Sequence, residues 1–175
     1  MEYSINGSFA IIRYKGKFLW VKRADTGLWE LVGGGEDRNE FNHKGALSRE
    51  CREEIGKKIK QKKFYLFAML GQTLSRAARE KFDGTKYGSV FLYYCDIIRM
   101  RKNIQLSNDH TEHNFFSHDE IMENWEKFTS GSLWIYFTFL AFQENGEIQE
   151  GLLKKRKTWK GTDYLYIPPK NQAVA

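Results

Sequence analysis

The sequence predicts an α+β sandwich in which helices pack on a mixed β-sheet. Three observations indicate it: β-rich runs separated by turn residues, one segment with a single apolar stripe at helical spacing, and a strongly apolar segment at Leu133–Gln143. Along the chain the order is a hairpin, a strand, a helix, further strands and two helices, which is typical of sheets covered by helices. At 175 residues the chain has the length of one domain with a substantial core.

The first third of the chain contains a hairpin, a short strand and a helix. Ser8–Arg13 and Phe18–Lys22 are the predicted strands of the hairpin, and Leu28–Val32 is a third strand that ends at a triple glycine. His43–Ile55 carries apolar residues at four-residue spacing, which predicts a helix with one buried face. Gly56 follows directly, where helices commonly stop in a left-handed conformation.

The rest of the chain alternates strands and helices less regularly. The long connection at residues 71–88 indicates a functional or surface loop, because such lengths are uncommon inside compact domains. The segment Leu133–Gln143 is predicted as a buried helix despite its aromatic residues, and Ser117 or Asp119 is the predicted cap of the helix before it. The predicted strands are Phe64–Leu70, Ser89–Met100 and Phe115–Ser117, and the predicted helices are His118–Lys127 and Leu133–Gln143.

The composition argues against several classes of protein. No apolar run reaches the roughly 18 residues of a membrane span, and the start MEYSINGSF lacks the features of a signal peptide. Cys51 and Cys95 are too few for a disulfide framework or a CxxC metal site. A cytoplasmic protein with no membrane partner is the prediction.

The positive charge is concentrated at the end of the chain. Residues 151–175 contain six basic residues against one acidic residue, whereas the whole chain has a formal net charge of +6. The first 150 residues are therefore close to neutral, which weakens a general case for nucleic-acid binding. We predict one domain over residues 1–147, including the last helix, and a basic tail over residues 148–175.

Three carboxylates on the predicted helix His43–Ile55 are a candidate metal site. Glu50, Glu53 and Glu54 are three and four residues apart and are therefore neighbours on a helix surface. Their mutual repulsion costs stability unless the carboxylate oxygens coordinate a hard divalent cation such as Mg²⁺. Arg49 is placed to reach Glu53 across one turn or to brace an acid upstream. On the carboxylates alone, a solvent-exposed acidic helix is the alternative interpretation.

The residues around these acids resemble the Nudix box. That pattern is glycine, five residues, glutamate, seven residues, and then Arg-Glu-apolar-any-Glu-Glu-any-Gly-apolar. Here Arg49–Gly56 matches eight consecutive positions, and Gly34 and Glu40 supply the upstream glycine and glutamate at the right mutual spacing. The resemblance covers Ser8 to about Trp125.

The match departs from the pattern at two places. Eight residues instead of seven separate Glu40 from Arg49. Either the loop before the helix holds one extra residue, or the register starts at Gly35 and Phe41 takes the glutamate position. We favour the extra residue because a loop absorbs it while the helix stays intact. Lys57 also replaces the final apolar residue.

The resemblance implies a Nudix-type α/β/α sandwich over residues 1–147 and a metal-dependent site. In the family, Glu50, Glu53 and Glu54 would bind Mg²⁺ or Mn²⁺, and Arg49 would brace Glu40. Catalytic roles would go to Glu53 and Glu50. Gly34 and Gly35 would approach the substrate through their backbone. The residues with a structural role in the box would be Gly34, Glu40, Arg49 and Gly56.

Further candidates lie outside the box. Many family members carry one more acid in a loop before the last strand, and Glu112, three residues before Phe115, is the candidate for an additional metal ligand or base. His110, His113 and His118 crowd the same region without ligand spacing, which favours surface or structural roles.

Three residues in the predicted strands are candidates for substrate binding. Arg23, at the end of a strand, resembles an arginine that often faces substrate phosphates. Trp29 and Phe9 are candidates for stacking on a base, although aromatic residues in strands more often belong to the core.

The predicted function is metal-dependent hydrolysis of a nucleoside diphosphate linked to another moiety, of the nucleoside-triphosphate or nucleotide-sugar pyrophosphatase type, by water attack on a phosphorus. Two alternatives stay open: an RNA 5′-end pyrophosphohydrolase that uses the basic segment Lys154–Lys160 to hold phosphate backbone, and a non-catalytic Nudix-like sensor that binds a nucleotide. The predicted partner is a small-molecule nucleotide, with RNA as an alternative and a homodimer as a separate expectation.

Overall fold

A computed structural model describes residues 5–36, 42–56, 60, 63–73, 87–97, 104–145, 152–158 and 161–167. Strands and helices account for most of them. The strands are β1 (Ile5–Tyr14), β2 (Lys17–Arg23), β3 (Trp29–Glu30), β4 (Val32–Gly35), β5 (Tyr65–Thr73), β6 (Tyr87–Asp96), β7 (His110–Phe116), β8 (Leu152–Thr158) and β9 (Gly161–Ile167). The helices are α1 (His43–Ile55), α2 (His118–Glu123) and α3 (Ser130–Asn145), with a 3₁₀ turn at Trp125–Lys127.

Seven of these strands form one mixed sheet around β1. The main order is β3-β2-β1-β6-β5, with β4 paired to β1 and β7 paired to β2. β1 runs parallel to β6 and antiparallel to β2 and β4, so the predicted mixed sheet is confirmed. β2 and β4 share the same side of β1: β2 pairs with its end at Arg13 and Tyr14, and β4 pairs with its beginning over Gly7–Ala10.

The sheet separates two apolar cores. One core joins the face of Trp20, Trp29 and Phe67 to α3, and the other joins the face of Leu19 and Val21 to α1. Alternating residues of β2 enter different cores because successive side chains of a strand point to opposite faces. The α3 core and the α1 core together make the predicted sandwich, with the α1 face carrying the candidate acids.

Two local signals bound α1, of which Gly56 was predicted and Asn42 was not. Asn42 caps its start, because the side-chain oxygen accepts from the backbone N–H groups of Lys44 and Gly45. Gly56 ends it in the left-handed conformation, with φ of 62°, and a Cβ there would lie 2.8 Å from Cβ of Gln105. The helix end is therefore fixed both by its own backbone and by the segment that packs over it.

Two predicted helices differ in outcome. The apolar segment Leu133–Gln143 lies within α3, as predicted, and supplies buried residues such as Tyr136 and Phe139. The predicted helix His118–Lys127 is shorter, since α2 ends before Asn124 and a 3₁₀ turn follows. Ser117 is its cap, in a reciprocal capping box with Glu120.

Three predicted strand assignments are corrected. Leu28–Val32 is two strands rather than one, because the chain leaves β2 after Glu30 and pairs with β1 from Val32 onward. The strand predicted at Phe115–Ser117 begins at His110, since β7 pairs with β2 along that whole length. Glu112 therefore lies in a strand and not in a loop. The predicted strand Ser89–Met100 is Tyr87–Asp96, and residues 98–100 lie outside the described residues.

The end of the chain contains a hairpin in the segment predicted as a basic tail. β8 pairs antiparallel with β9, with Lys155 opposite Tyr164 and Arg156 opposite Asp163. The boundary at residue 147 stays a prediction. Most of the loop at residues 71–88, residues 74–86, lies outside the described residues. None of the described helices has the length and apolarity needed to cross a membrane.

Candidate active site

The triple glycine lets β4 pass very close to β1 and then to α1. Gly33 has φ of 145°, and a Cβ on it would lie 2.2 Å from the carbonyl oxygen of Ser8 and 2.6 Å from Cα of Phe9. Only glycine fits this combination of backbone angle and contact. The close approach brings the following residues of β4 directly to the acidic end of α1.

Gly34 lies against the carboxylate of Glu50. A Cβ on Gly34 would be 2.7 Å from Oε1 of Glu50. The missing side chain therefore leaves room for an acid to reach the backbone of β4. In this arrangement a helix carboxylate lies against the backbone of β4 at Gly34, and the predicted approach of this backbone to a substrate stays a prediction.

Arg49 joins two of the three helix glutamates. Its Nη1 lies 3.0 Å from Oε1 of Glu50 and 2.9 Å from Oε2 of Glu53, and its Nη2 donates to the carbonyl oxygen of Gly35 at 3.0 Å. Of the two contacts predicted for Arg49, the one with Glu53 is present. The other involves Glu40, which lies outside the described residues.

Glu54 is partly buried beside β4. Oε2 of its carboxylate accepts from the backbone N–H of Gly33 at 3.0 Å. Burial raises the pKa of Glu54 to about 8, against the hydrogen bond from Gly33, which lowers it. Glu50 and Glu30 raise this pKa further by repulsion, whereas His110 lowers it. Without a metal, much of the Glu54 carboxyl is therefore protonated at neutral pH.

The raised pKa of Glu54 predicts that the metal-free protein becomes less stable as pH rises. A group whose folded pKa of about 8 exceeds its ordinary value of 4.5 stabilises the fold below pH 4.5, and this contribution is lost as pH rises through 8. In EDTA, we expect the free energy of unfolding to fall between pH 5 and pH 8 by on the order of 1 kcal/mol per unit. Urea unfolding at several pH values measures it.

The matched variant for this measurement is Glu54→Gln, which keeps an acceptor for the N–H of Gly33 but does not titrate. Its free energy of unfolding should be nearly flat from pH 5 to pH 6.5. A smaller decline above that range is expected from His110, because the hydrogen bond to Glu30 raises the pKa of this imidazole. An equal slope in both proteins would contradict the assignment to Glu54.

A second polar cluster lies beside Glu54 and was not predicted. His110 is 2% exposed, and its Nε2 lies 3.0 Å from Oε1 of Glu30. Its Nδ1 lies 3.1 Å from Oγ of Ser107. Arg23, the predicted phosphate-facing arginine, instead contacts Glu30 and, at 2.6 and 2.7 Å, Asp25. The position of Glu30, three residues before Gly33, could have marked it as a candidate site residue. Nothing in the sequence marked His110 as its partner.

A β-bulge explains why His110 lies on the α1 face and Glu112 does not. Lys22 pairs with Glu112 and Arg23 pairs with His110, so Thr111 is an extra residue in β7. Residues two apart in a regular strand share a face, whereas this inserted residue puts His110 and Glu112 on opposite faces. Bulges commonly redirect side chains in this way.

Glu112 is paired on the α3 side of the sheet. Its Oε1 lies 2.8 Å from Nζ of Lys22, and that ammonium lies over the ring of Trp29, which belongs to the α3 core. The structure therefore does not bring Glu112 to the three glutamates of α1. Its role as a ligand or base stays a prediction.

The two aromatic candidates also belong to the α3 side. Trp29 is 9% exposed and its ring meets that of Phe116 edge to face, while Phe9 is half-buried against the same core. Little of the indole is free to stack on a base. Their predicted contact with a nucleoside stays a prediction.

The donor set at the β4–α1 junction fits a hard divalent cation. Within the described part of the chain, no three acidic, histidine or cysteine side chains already surround a single point. The carboxylates of Glu50 and Glu53 nevertheless meet at one cationic atom, Nη1 of Arg49, and Glu54 adds a third oxygen donor under β4. Oxygen donors of this kind are those that Mg²⁺ and Mn²⁺ prefer.

Comparison with known proteins places this arrangement in a family. The NUDIX domain family matches residues 6–134. A MutT-like protein from Streptomyces ambofaciens is 35% identical over 57 residues, or 33% of this chain and 36% of that protein. The match thus spans only about a third of the length of this curated relative.

Two solved structures share the fold at low sequence identity. A NUDIX hydrolase from Nitrosomonas europaea has a TM-score of 0.59 at 19% identity, covering 79% of this chain and 90% of that one. A bifunctional NMN adenylyltransferase/ADP ribose pyrophosphatase from Francisella tularensis, complexed with AMP and a Mn ion, has a TM-score of 0.58 at 14% identity, covering 82% and 42%.

The mixed sheet and its helices have the fold of these solved NUDIX structures. The chain belongs to the NUDIX domain family, whose match covers most of its length. Hydrolases of this family generally use divalent metal ions.

Proposed function

We propose that the protein hydrolyses a nucleoside diphosphate linked to another moiety, with Mg²⁺ or Mn²⁺ as cofactor. A nucleoside triphosphate or a nucleotide sugar is the proposed substrate class. The observation that carries the proposal is the convergence of Glu50 and Glu53 on Arg49 beside Gly34, with Glu54 held under Gly33. A solvent-exposed acidic helix that binds no cation does not need a strand of glycines packed against its carboxylates.

The chain's own residues would divide the work of the reaction. Glu50, Glu53 and Glu54 would hold the cation, which when bound neutralises the diphosphate and activates water. Gly35 would admit the diphosphate to the backbone of β4, because a Cβ there would meet nothing within 4 Å, while Gly34 would leave room beside that backbone for the carboxylate of Glu50. Glu53, the most exposed of the three carboxylates, is placed to orient a water molecule or accept its proton. Arg49 would fix the directions of Glu50 and Glu53.

A substrate panel with controlled metal tests the proposal. Nucleoside triphosphates, nucleotide sugars, ADP-ribose, dinucleoside polyphosphates and 5′-triphosphate RNA are incubated with Mg²⁺, with Mn²⁺ or with EDTA. We expect turnover of at least one nucleotide with metal and none with EDTA. Reaction in ¹⁸O-labelled water, followed by mass spectrometry of the products, identifies the phosphorus that water attacks.

The two alternatives give different results in the same panel. An RNA 5′-end hydrolase would act on the RNA with a steep salt dependence, because Lys and Arg contacts to phosphates release counterions. A nucleotide sensor would bind one nucleotide tightly without turning it over in either metal. That second result would overturn the proposed hydrolysis. The predicted homodimer and cytoplasmic location stay predictions.

A further inference from the structure

The segment between β6 and β7 fastens the end of α1 that carries Glu53 and Glu54. The backbone N–H of Gln105 donates to the carbonyl of Ile55 at 3.2 Å, and that of Ser107 donates to the carbonyl of Glu54, also at 3.2 Å. The last carbonyls of a helix have no partner within the helix. This segment therefore supplies partners for the turn that carries two of the candidate metal ligands.

His110 connects the same segment to the sheet. Its imidazole is almost completely buried, yet both ring nitrogens have partners: Nε2 lies 3.0 Å from Glu30 and Nδ1 lies 3.1 Å from Oγ of Ser107. Glu30 is held in turn by Arg23. A continuous set of contacts thus runs from β3 through the imidazole and Ser107 to the backbone of Glu54.

The cost of building this cluster indicates that it has a function. A buried polar group without hydrogen bonds destabilises a fold, so each member depends on the others. The β-bulge at Thr111 is needed to bring His110 to this face at all, and bulges interrupt the regular ladder of hydrogen bonds. An apolar residue at position 110 would fill the same space without these requirements.

We propose that His110 is a positioning residue for Glu53 and Glu54: held between Glu30 and Ser107, it fixes the end of α1 and so sets how tightly the helix carboxylates hold a divalent cation. The proposal rests on the metal role of α1 in the proposed function. Partners that orient metal ligands commonly contribute 10- to 100-fold to metal affinity.

Two substitutions separate hydrogen bonding from packing. His110→Phe keeps a buried ring but removes both hydrogen bonds, whereas His110→Gln keeps a donor in place of Nε2 and its bond to Glu30. We expect the Mn²⁺ affinity of His110→Phe to fall roughly 10- to 100-fold. That of His110→Gln should fall less, because one of the two connections remains. The free-ion signal in electron paramagnetic resonance measures Mn²⁺ affinity without any substrate.

Turnover gives a second readout that loss of the fold would not reproduce. If His110 sets the position of the metal ligands, excess Mg²⁺ should restore most of the kcat of His110→Phe. The control is His118→Phe, since His118 also makes one histidine hydrogen bond, to the hydroxyl of Tyr136, but on the α3 side. Its Mn²⁺ affinity should equal that of the unaltered protein.

The outcomes distinguish this inference from the proposed function. Absence of Mn²⁺ binding by the unaltered protein would overturn the metal role of α1 itself. Mn²⁺ binding by a folded His110→Phe variant at unaltered affinity would overturn only the role of His110. If that variant fails to fold, Ser107→Ala decides, because it breaks the connection with a smaller change. A several-fold loss of affinity supports the proposal, and no loss contradicts it.

Discussion

Replacing Glu53 by Gln should reduce metal-dependent hydrolysis about a thousand-fold or more while the fold stays intact. The amide keeps the volume of the side chain but lacks the negative charge that a hard cation requires. Loss of several kcal/mol of transition-state stabilisation corresponds to this factor, because each 1.36 kcal/mol is about tenfold in rate. Steady-state kinetics with saturating Mg²⁺ on the best substrate of the panel measures it.

The fold should tolerate this change because Glu53 is 54% exposed. Its ion pair with Arg49 is a surface pair at i,i+4 spacing, which contributes only about 0.3–0.5 kcal/mol. Glu123→Gln is the matched control, since it makes the same substitution on an exposed acid of α2. Activity of Glu53→Gln within tenfold of the control would show that Glu53 does not hold the metal.

Replacing Gly33 by Ala should destabilise the whole domain by about 3 kcal/mol or more. The new Cβ would overlap the carbonyl of Ser8 at 2.2 Å, and φ of 145° is a conformation that side chains rarely adopt. Neither problem can be relieved locally, because β1 is the central strand and pairs with three neighbours. The midpoint of thermal unfolding should fall by roughly 10 °C. Calorimetry or circular dichroism measures it.

Gly35→Ala, two residues further along the same strand, is the control for this prediction. A Cβ on Gly35 meets nothing within 4 Å, and its φ is not in the left-handed region. Its midpoint should stay within a few degrees of the unaltered protein. Similar losses in both variants would mean that glycine content, and not the crossing of β4 over β1, determines the stability of this segment.

Local sequence determined the elements that depend on neighbouring residues. Asn42, the apolar stripe and Gly56 define α1 from its first to its last residue, because caps and helical spacing act within a few positions. The spacing of Glu50, Glu53 and Glu54 on that helix follows directly from the same geometry. The contact between Arg49 and Glu53 could also be predicted, since it spans a single turn.

Strand boundaries were harder to predict because partners far along the chain decide them. β7 extends back to His110 because β2 offers a partner there, not because the residues before Phe115 are strongly β-forming. Likewise, β4 separates from β3 because β1 accepts Val32 and the glycines as neighbours. Propensity is weak evidence in both places, and tertiary pairing overrides it.

The sequence by itself determined the family, the helix of acids and the glycines that precede it. Only the tertiary structure decided which residue of β7 lies on the side of the sheet that faces α1. The sequence pointed to Glu112, yet the bulge at Thr111 turns Glu112 toward Lys22 and brings His110 to Glu30, beside Glu54. The physical reason is that one inserted residue exchanges the two faces of a strand, and the pairing of β2 with β7 fixes where that residue lies.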